Sequence, residues 1–109
     1  MSAEMDALVR GVDDTLEALE ATLRDLGGVR GRCAAEDGSV TAEVDADGAL
    51  TGLWLAESVT SRPPAEVSRL ILWAARRAAA EATAQRARII TRLNDALISK
   101  NVGGDPDSA

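Results

Sequence analysis

The stretch that decides the fold runs from Gly38 to Leu55 and reads GSVTAEVDADGALTGLWL. In its first part Val40, Ala42 and Val44 alternate with more polar residues, which is the period-two pattern of a strand with one buried face. Asp47-Gly48 follows as a turn dipeptide, since both residues tolerate the positive φ that a tight turn requires. Alternation then resumes at Thr51, Leu53 and Leu55. The stretch therefore predicts a β-hairpin.

The chain before this hairpin predicts a helix and one more strand. Apolar residues recur every three or four positions, which favours an amphipathic helix from about Ala3 to Leu26 that Gly27-Gly28 ends. Residues 29–36 alternate weakly and predict a short edge strand, with Asp37-Gly38 turning into the hairpin. The three strands would form an antiparallel meander. The apolar stripe of the helix comprises Met5, Leu8, Val12, Leu16, Leu19, Leu23 and Leu26, and its opposite acidic face comprises Glu4, Asp13, Asp14, Glu17 and Glu20.

After the hairpin the sequence predicts one long helix. Pro63-Pro64 suits the first turn of a helix, and Ser61 is the candidate cap. From Ala65 to about Lys100 there is no Gly or Pro. Residues 1–100 therefore form a single α+β domain, with a disordered tail over residues 101–109 that contains Gly, Pro, Asp and Ser. One side of the helix carries Val67, Leu70, Ile71, Ala74, Ala78, Ala82, Gln85, Ile89, Leu93, Ala96 and Leu97.

The length of this helix predicts a homodimer. A helix of about 35 residues spans roughly 50 Å, whereas a compact domain of this size is roughly 35 Å across. The helix must overhang its own domain, and a second copy is the simplest cover for the apolar residues on the overhang. The alanine-rich core is also thin. The predicted dimer interface comprises Trp54, Trp73, Ile89, Leu93 and Leu97.

Charge is distributed unevenly along the chain. The net charge is −6. Residues 1–61 carry 4 basic and 13 acidic side chains, and residues 62–109 carry 8 basic and 5 acidic ones. The arginines of the long helix either serve solubility and pair with the acidic first helix, or form a surface that contacts the DNA backbone without sequence preference. The predicted DNA contacts are Arg69, Arg76, Arg77, Arg88 and Arg92.

The residue types do not favour an enzyme, a metal site or a cofactor site. Histidine and tyrosine are absent, so Cys33 has no imidazole to activate it, and we interpret it as a strand residue that faces inward. Glu43, Asp45 and Asp47 have the spacing of half a calcium loop, but the twelfth position is Trp54 instead of glutamate, so the hairpin is favoured. No phosphate-binding or dinucleotide-binding glycine pattern occurs. We expect no catalytic residue, no bound metal, no cofactor and no small-molecule substrate.

The sequence also lacks a membrane-spanning stretch and a signal peptide, and its one cysteine fits a reducing compartment. We therefore expect a protein of the cytoplasm that does not contact a membrane.

The order of elements resembles the YbaB/EbfC nucleoid-associated family. The resemblance covers roughly residues 3–100 and is strongest in the hairpin and in the Pro-Pro entry to the arginine- and alanine-rich helix. It rests on Gly38, Val40, Val44, Gly48, Leu50, Leu53 and Leu55 at their spacings.

This resemblance implies a bacterial homodimer at the nucleoid, with protruding helices, that binds double-stranded DNA with little sequence demand and has neither catalysis nor a cofactor. The first helix, often basic in the family, is acidic here, so DNA binding would depend on local arginine contacts. The alternative is a protein–protein adaptor, because relatives of this fold in actinobacteria also include accessory proteins of type VII secretion.

Overall fold

A computed structural model describes residues 2–102, with side chains described through residue 99, and most of the predicted tail at residues 101–109 lies outside this range. Helix, meander and long helix follow one another as the sequence predicts, with one added turn of 3₁₀ helix before the last element. The elements are α1 (Ala3–Gly27), β1 (Gly31–Ala34), β2 (Val40–Val44), β3 (Leu50–Leu55), the 3₁₀ helix Glu57–Ser61 and α2 (Pro64–Val102).

The sheet is an antiparallel meander in the order β1-β2-β3. Val40, Ala42 and Val44 are buried, which confirms the predicted inner face of the hairpin. The hairpin turn is held by the Asp45 carboxylate, whose Oδ1 accepts hydrogen bonds from the amides of Asp47 (2.9 Å) and Ala49 (3.0 Å). Asp45 is therefore a turn residue, as the hairpin interpretation requires.

The core forms where α2 crosses the inner face of β1 and β2. Ala74, Ala78 and Ala82 are buried there at spacings of four, and small side chains let the strand approach the helix backbone closely. At Gly31 the approach is so close that a Cβ would lie 2.6 Å from the Ala82 nitrogen and closer still to the Ala78 carbonyl oxygen. The alanines are thus needed for packing at short range, where larger residues would not fit.

The apolar side predicted for α2 is confirmed along its whole length. All 11 residues assigned to it are buried or half-buried. Within this side, Gln85 bonds the backbone at the entry to β1: its Oε1 accepts from the Arg30 amide (3.3 Å) and its Nε2 donates to the Arg30 carbonyl (2.8 Å). Ser61, in contrast, does not cap the helix, because its hydroxyl donates to the Ser58 carbonyl within the 3₁₀ turn.

Helix α1 packs on α2 through a different face from the one its apolar stripe suggests. Within Ala3–Gly27 no residue is buried. The half-buried positions are Thr15, Ala18, Ala21, Thr22 and Leu26. Except for Leu26, the stripe that predicts the helix stays exposed, from 39% at Leu19 to 69% at Leu23. The centre of that stripe is rotated by roughly 80° from the contact face, at 100° per residue.

Helix α1 also covers part of the overhang of α2. Because Gln85 holds the start of β1, the preceding α1 lies along α2 beyond that point, and the two helices are in contact. Ile89 is buried, and Leu93 and Leu97 are half-buried. Ile90 (44%) and Ile98 (52%) are exposed. One side of this half of α2 is therefore sheltered by α1, while the side that carries Ile90 and Ile98 stays open to the predicted second copy.

The molecule is elongated, as the length of α2 predicts. Its 39 residues span about 58 Å, and the described part of the chain measures 75 × 29 × 16 Å with a radius of gyration of 21.7 Å. A compact domain of 100 residues would have a radius of gyration of about 13 Å. Strand β3 lies at the edge of the sheet away from α2, so Leu50, Leu53, Trp54 and Leu55 are all exposed.

Candidate nucleic-acid interface

The five arginines predicted to contact DNA are all exposed on α2. Between Arg69 and Arg92 the helix rises about 35 Å, which is close to one turn of B-DNA (about 34–36 Å). The arginines are therefore distributed along the helix and do not meet at one point.

The surroundings of these arginines differ along the helix. Arg88 and Arg92 border one shallow depression, and Arg88 Nη2 lies 3.7 Å from the Glu81 carboxylate. Arg69 borders a groove that also contains the carboxylates of Asp37 and Glu66. The middle and distal parts of α2 thus offer a more positive surface than its first turns.

Arg77 is joined by two arginines of the first half of the chain. It borders an open cavity of about 560 Å³ at the β1 edge together with Arg30 and Arg32. The sequence interpretation did not single out Arg30 and Arg32. Only the packing of β1 against α2 brings Arg30 and Arg32 close to Arg77. This proximity could not be predicted from the sequence, because more than 40 residues separate them from Arg77.

Each of the two tryptophans of the chain stacks against one of the arginines of this cavity. The Arg32 guanidinium lies 4.4 Å from the ring centroid of Trp54, and the Arg77 guanidinium lies 4.9 Å from that of Trp73. Both distances are within the range of a cation–π interaction. Trp54 and Trp73 are 47% and 40% exposed, so both rings remain accessible on their other sides.

A second polar cluster connects the β1–β2 turn to the start of α2. The Asp37 carboxylate accepts hydrogen bonds from the hydroxyl (2.6 Å) and the amide (2.9 Å) of Ser39 and is paired with Arg62. Arg62 also reaches Glu66, at 3.3 Å. The Ser39 hydrogen bonds first, and then Arg62, lower the pKa of Asp37 to about 2. The Ser39 hydrogen bonds and the Arg62 ion pair both stabilise the ionised form of Asp37. We therefore assign this cluster the structural role of holding the β1–β2 turn.

The residues predicted for the dimer interface fall into two groups. Trp54 and Trp73 are exposed on the strand edge and on the first half of α2. Ile89 is buried within its own chain, and Leu93 and Leu97 are half-buried. Only the first group is directly available to a second copy.

Among the described residues no group of Cys, Asp or Glu side chains is arranged to hold a metal ion. Within residues 2–102 no helix is both long enough and apolar enough to cross a membrane.

The fold and the arginine-bearing helix agree with the family to which the chain belongs. The model of the YbaB/EbfC DNA-binding family matches residues 1–97, which is nearly the whole chain, and the chain is a member of that family. The family is a nucleoid-associated, DNA-binding one, and is not defined by catalysis. No curated protein matches the chain in sequence.

Proposed function

We propose that this protein acts at the bacterial nucleoid, in the cytoplasm, as a homodimer that binds double-stranded DNA with little sequence specificity. The observation that carries this proposal is membership of the YbaB/EbfC DNA-binding family over residues 1–97. Exposed arginines along α2 supply the chemistry, because guanidinium groups bind backbone phosphates without reading the bases. The proposed contacts are Arg69, Arg76, Arg77, Arg88 and Arg92.

The charge of the molecule determines how such binding would behave. A net charge of −6 opposes the approach of DNA, although salt screens this repulsion beyond the Debye length, whereas the arginines of α2 act at direct contact. Binding would therefore depend on close contacts and would weaken steeply with salt, because each phosphate contact formed releases condensed counterions and this release becomes less favourable as the salt concentration rises.

The homodimer part of the proposal is supported by uncovered apolar surface. Strand β3 exposes apolar side chains on both faces of the sheet edge: Leu53 (38%) and Leu55 (47%) on the face of Val40 and Ala42, and Trp54 (47%) on the opposite face. Within the described residues no helix packs extensively on β3. Exposed apolar surface of this kind marks protein–protein contacts. We place Leu53 and Leu55 of β3 at the centre of the interface and Trp54 and Trp73 at its margin, while Ile89, Leu93 and Leu97 support the paired helices from within.

Gel retardation of a duplex DNA of about 30 base pairs tests the DNA-binding proposal, beginning at about 50 mM salt. We expect micromolar protein to retard the duplex. In Arg69→Gln/Arg76→Gln the slope of log K against log salt should become shallower by about 2, one unit for each phosphate contact removed. The matched control is Arg10→Gln/Arg24→Gln, which removes the same charge from exposed positions of α1.

Two results would count against this proposal. If the wild-type protein does not retard the duplex at about 50 mM salt, DNA binding is wrong. If the α2 variant and the α1 control shift the salt slope equally, then net charge matters and the named contacts do not. In the adaptor alternative the wild-type protein would give the first of these results.

A further inference from the structure

We propose that the cavity at the β1 edge, bordered by Arg30, Arg32 and Arg77, is the principal site at which this protein holds a phosphate of the DNA backbone. The inference rests on the proposed DNA-binding function and adds two contacts, Arg30 and Arg32, from outside α2. It also moves the centre of the DNA-binding surface from the exposed face of α2 to the groove between α2 and the β1 edge of the sheet.

The guanidinium groups of this cavity keep donors available for a ligand. Arg30 uses Nη1 for the carbonyls of Gly27 (3.3 Å) and Val29 (2.6 Å). A guanidinium has five N–H donors, so three remain on its other nitrogens. Glu43 lies 4.0 Å from Arg30 and 3.9 Å from Arg32, too far for a hydrogen bond. Glu43 therefore attracts both side chains electrostatically without accepting a hydrogen bond from either of them.

The two tryptophans hold the other arginines in place. Arg32 lies over Trp54 and Arg77 over Trp73; both arginines line the cavity, whereas the two tryptophan rings lie outside its lining. Stacking of this kind leaves the edge of the planar guanidinium, where its N–H groups are, free to bind a phosphate. It also reduces the rotamer freedom that each arginine would lose on binding. Both aromatic residues of the chain are thus used to position arginines around one cavity.

The local charge favours this cavity over the groove around Arg69. Three arginines line the cavity, and the one carboxylate among the lining residues, Glu81, is already engaged by Arg88 at 3.7 Å and by Gln85 at 3.3 Å. The groove around Arg69 is instead lined by Glu36, Asp37 and Glu66. In a molecule of net charge −6, a concave site with a local excess of positive charge is where an anion binds most favourably.

The experiment compares salt slopes for the same duplex of about 30 base pairs, from about 50 to 200 mM salt. The cavity variant is Arg32→Gln/Arg77→Gln, and the control is again Arg10→Gln/Arg24→Gln. We expect the cavity variant to flatten the slope by about 2, and the triple variant with Arg30→Gln by about 3, while the control leaves it unchanged. Circular dichroism and light scattering establish that each variant keeps the fold and mass of the wild type.

Lysine variants distinguish the effect of the guanidinium geometry from the effect of positive charge alone. Arg32→Lys/Arg77→Lys keeps both charges but loses the bidentate donors and the flat stack on tryptophan. We expect it to keep the wild-type salt slope and to bind about two- to fivefold more weakly, the range that a lost exposed cation–π contact implies.

Each outcome bears on a different statement. If the wild type binds DNA and the cavity variants have the control's salt slope, the phosphate site is wrong while the DNA-binding function stands. If the wild type does not bind DNA, both are wrong. If the lysine variant binds as tightly as the wild type, the cavity acts as a charged surface, and the phosphate site built on stacked arginines is wrong.

Discussion

At the scale of single residues, Asp37 shows how a short turn is fixed to a distant helix. Its carboxylate accepts two hydrogen bonds from Ser39 and pairs with Arg62, which precedes α2. Buried Ser39 has its hydroxyl satisfied by this carboxylate. The turn between β1 and β2 and the entry to α2 therefore depend on one ionised group.

This dependence predicts a loss of stability in acid. The folded pKa of Asp37, about 2, lies below the ordinary value of about 3.9, so ionised Asp37 stabilises the fold. That contribution is complete above about pH 4 and disappears as the pH falls toward 2. Urea unfolding of wild type and Asp37→Asn at fixed protein concentration checks it. The midpoint of the wild type should fall more than that of the variant across this range, and parallel curves would contradict the assignment.

At the scale of the elements, the sequence predicts α2 better than it predicts the use of α1. All 11 residues that the period of α2 assigns to its inner side are buried or half-buried, because one continuous face packs first on the sheet and then on α1, and Ala75 and Ala79 pack against the core beside them. The leucine stripe of α1 correctly indicates a helix but not its contact face. Thr15, Ala18 and Thr22 are small enough for close helix packing, and periodicity of hydrophobic residues does not detect such a face.

The same limit applies to the cavity of three arginines. Arg77 could be selected from the sequence because it lies on a helix with other arginines. Arg30 and Arg32 could not, because their approach to Arg77 depends on how closely β1 packs against α2, and hence on Gly31 and the alanines opposite it.

Gly31→Ala tests this close packing of strand against helix. The new Cβ would meet the Ala78 carbonyl, the Ala82 nitrogen at 2.6 Å and the Ala82 Cβ at 2.9 Å, so the backbones must separate. We expect the free energy of unfolding to fall by about 1–3 kcal/mol. The matched control is Gly11→Ala in α1, where nothing lies within 4 Å and where alanine should stabilise the helix by about 0.5–1 kcal/mol. Equal effects in the two variants would contradict the packing described for Gly31.

At the scale of the whole molecule, shape and charge both point to association. A chain of 109 residues that extends over 75 Å leaves long apolar surfaces in water. The leucines of α1 and those of β3 are exposed, and in the proposed homodimer the second copy would cover such surface. The acidic first half and the arginine-rich second half give each copy complementary charges to present to the other.

Light scattering checks the proposed homodimer. We expect a mass of twice 11.4 kDa at micromolar concentration. Leu55→Glu should shift the mass to that of one chain, because it places a charge on the uncovered edge strand β3. Ala34→Glu places the same charge on the exposed β1 edge of the sheet and should leave the mass unchanged. A wild-type mass of 11.4 kDa would contradict the dimer.

The two hydrogen bonds between Gln85 and the backbone of Arg30 have a consequence for how many copies can join. The Gln85 side-chain amide occupies the backbone N–H and C=O of Arg30, which an incoming strand would need in order to pair at the start of β1. The charged side chains of Arg30 and Arg32 flank the rest of that edge. The β1 edge of the sheet is therefore blocked, and the β3 edge is open. Such a sheet can be extended only once, by a second copy that pairs through its own β3 edge. Growth then stops, so the protein should form closed pairs and not fibres.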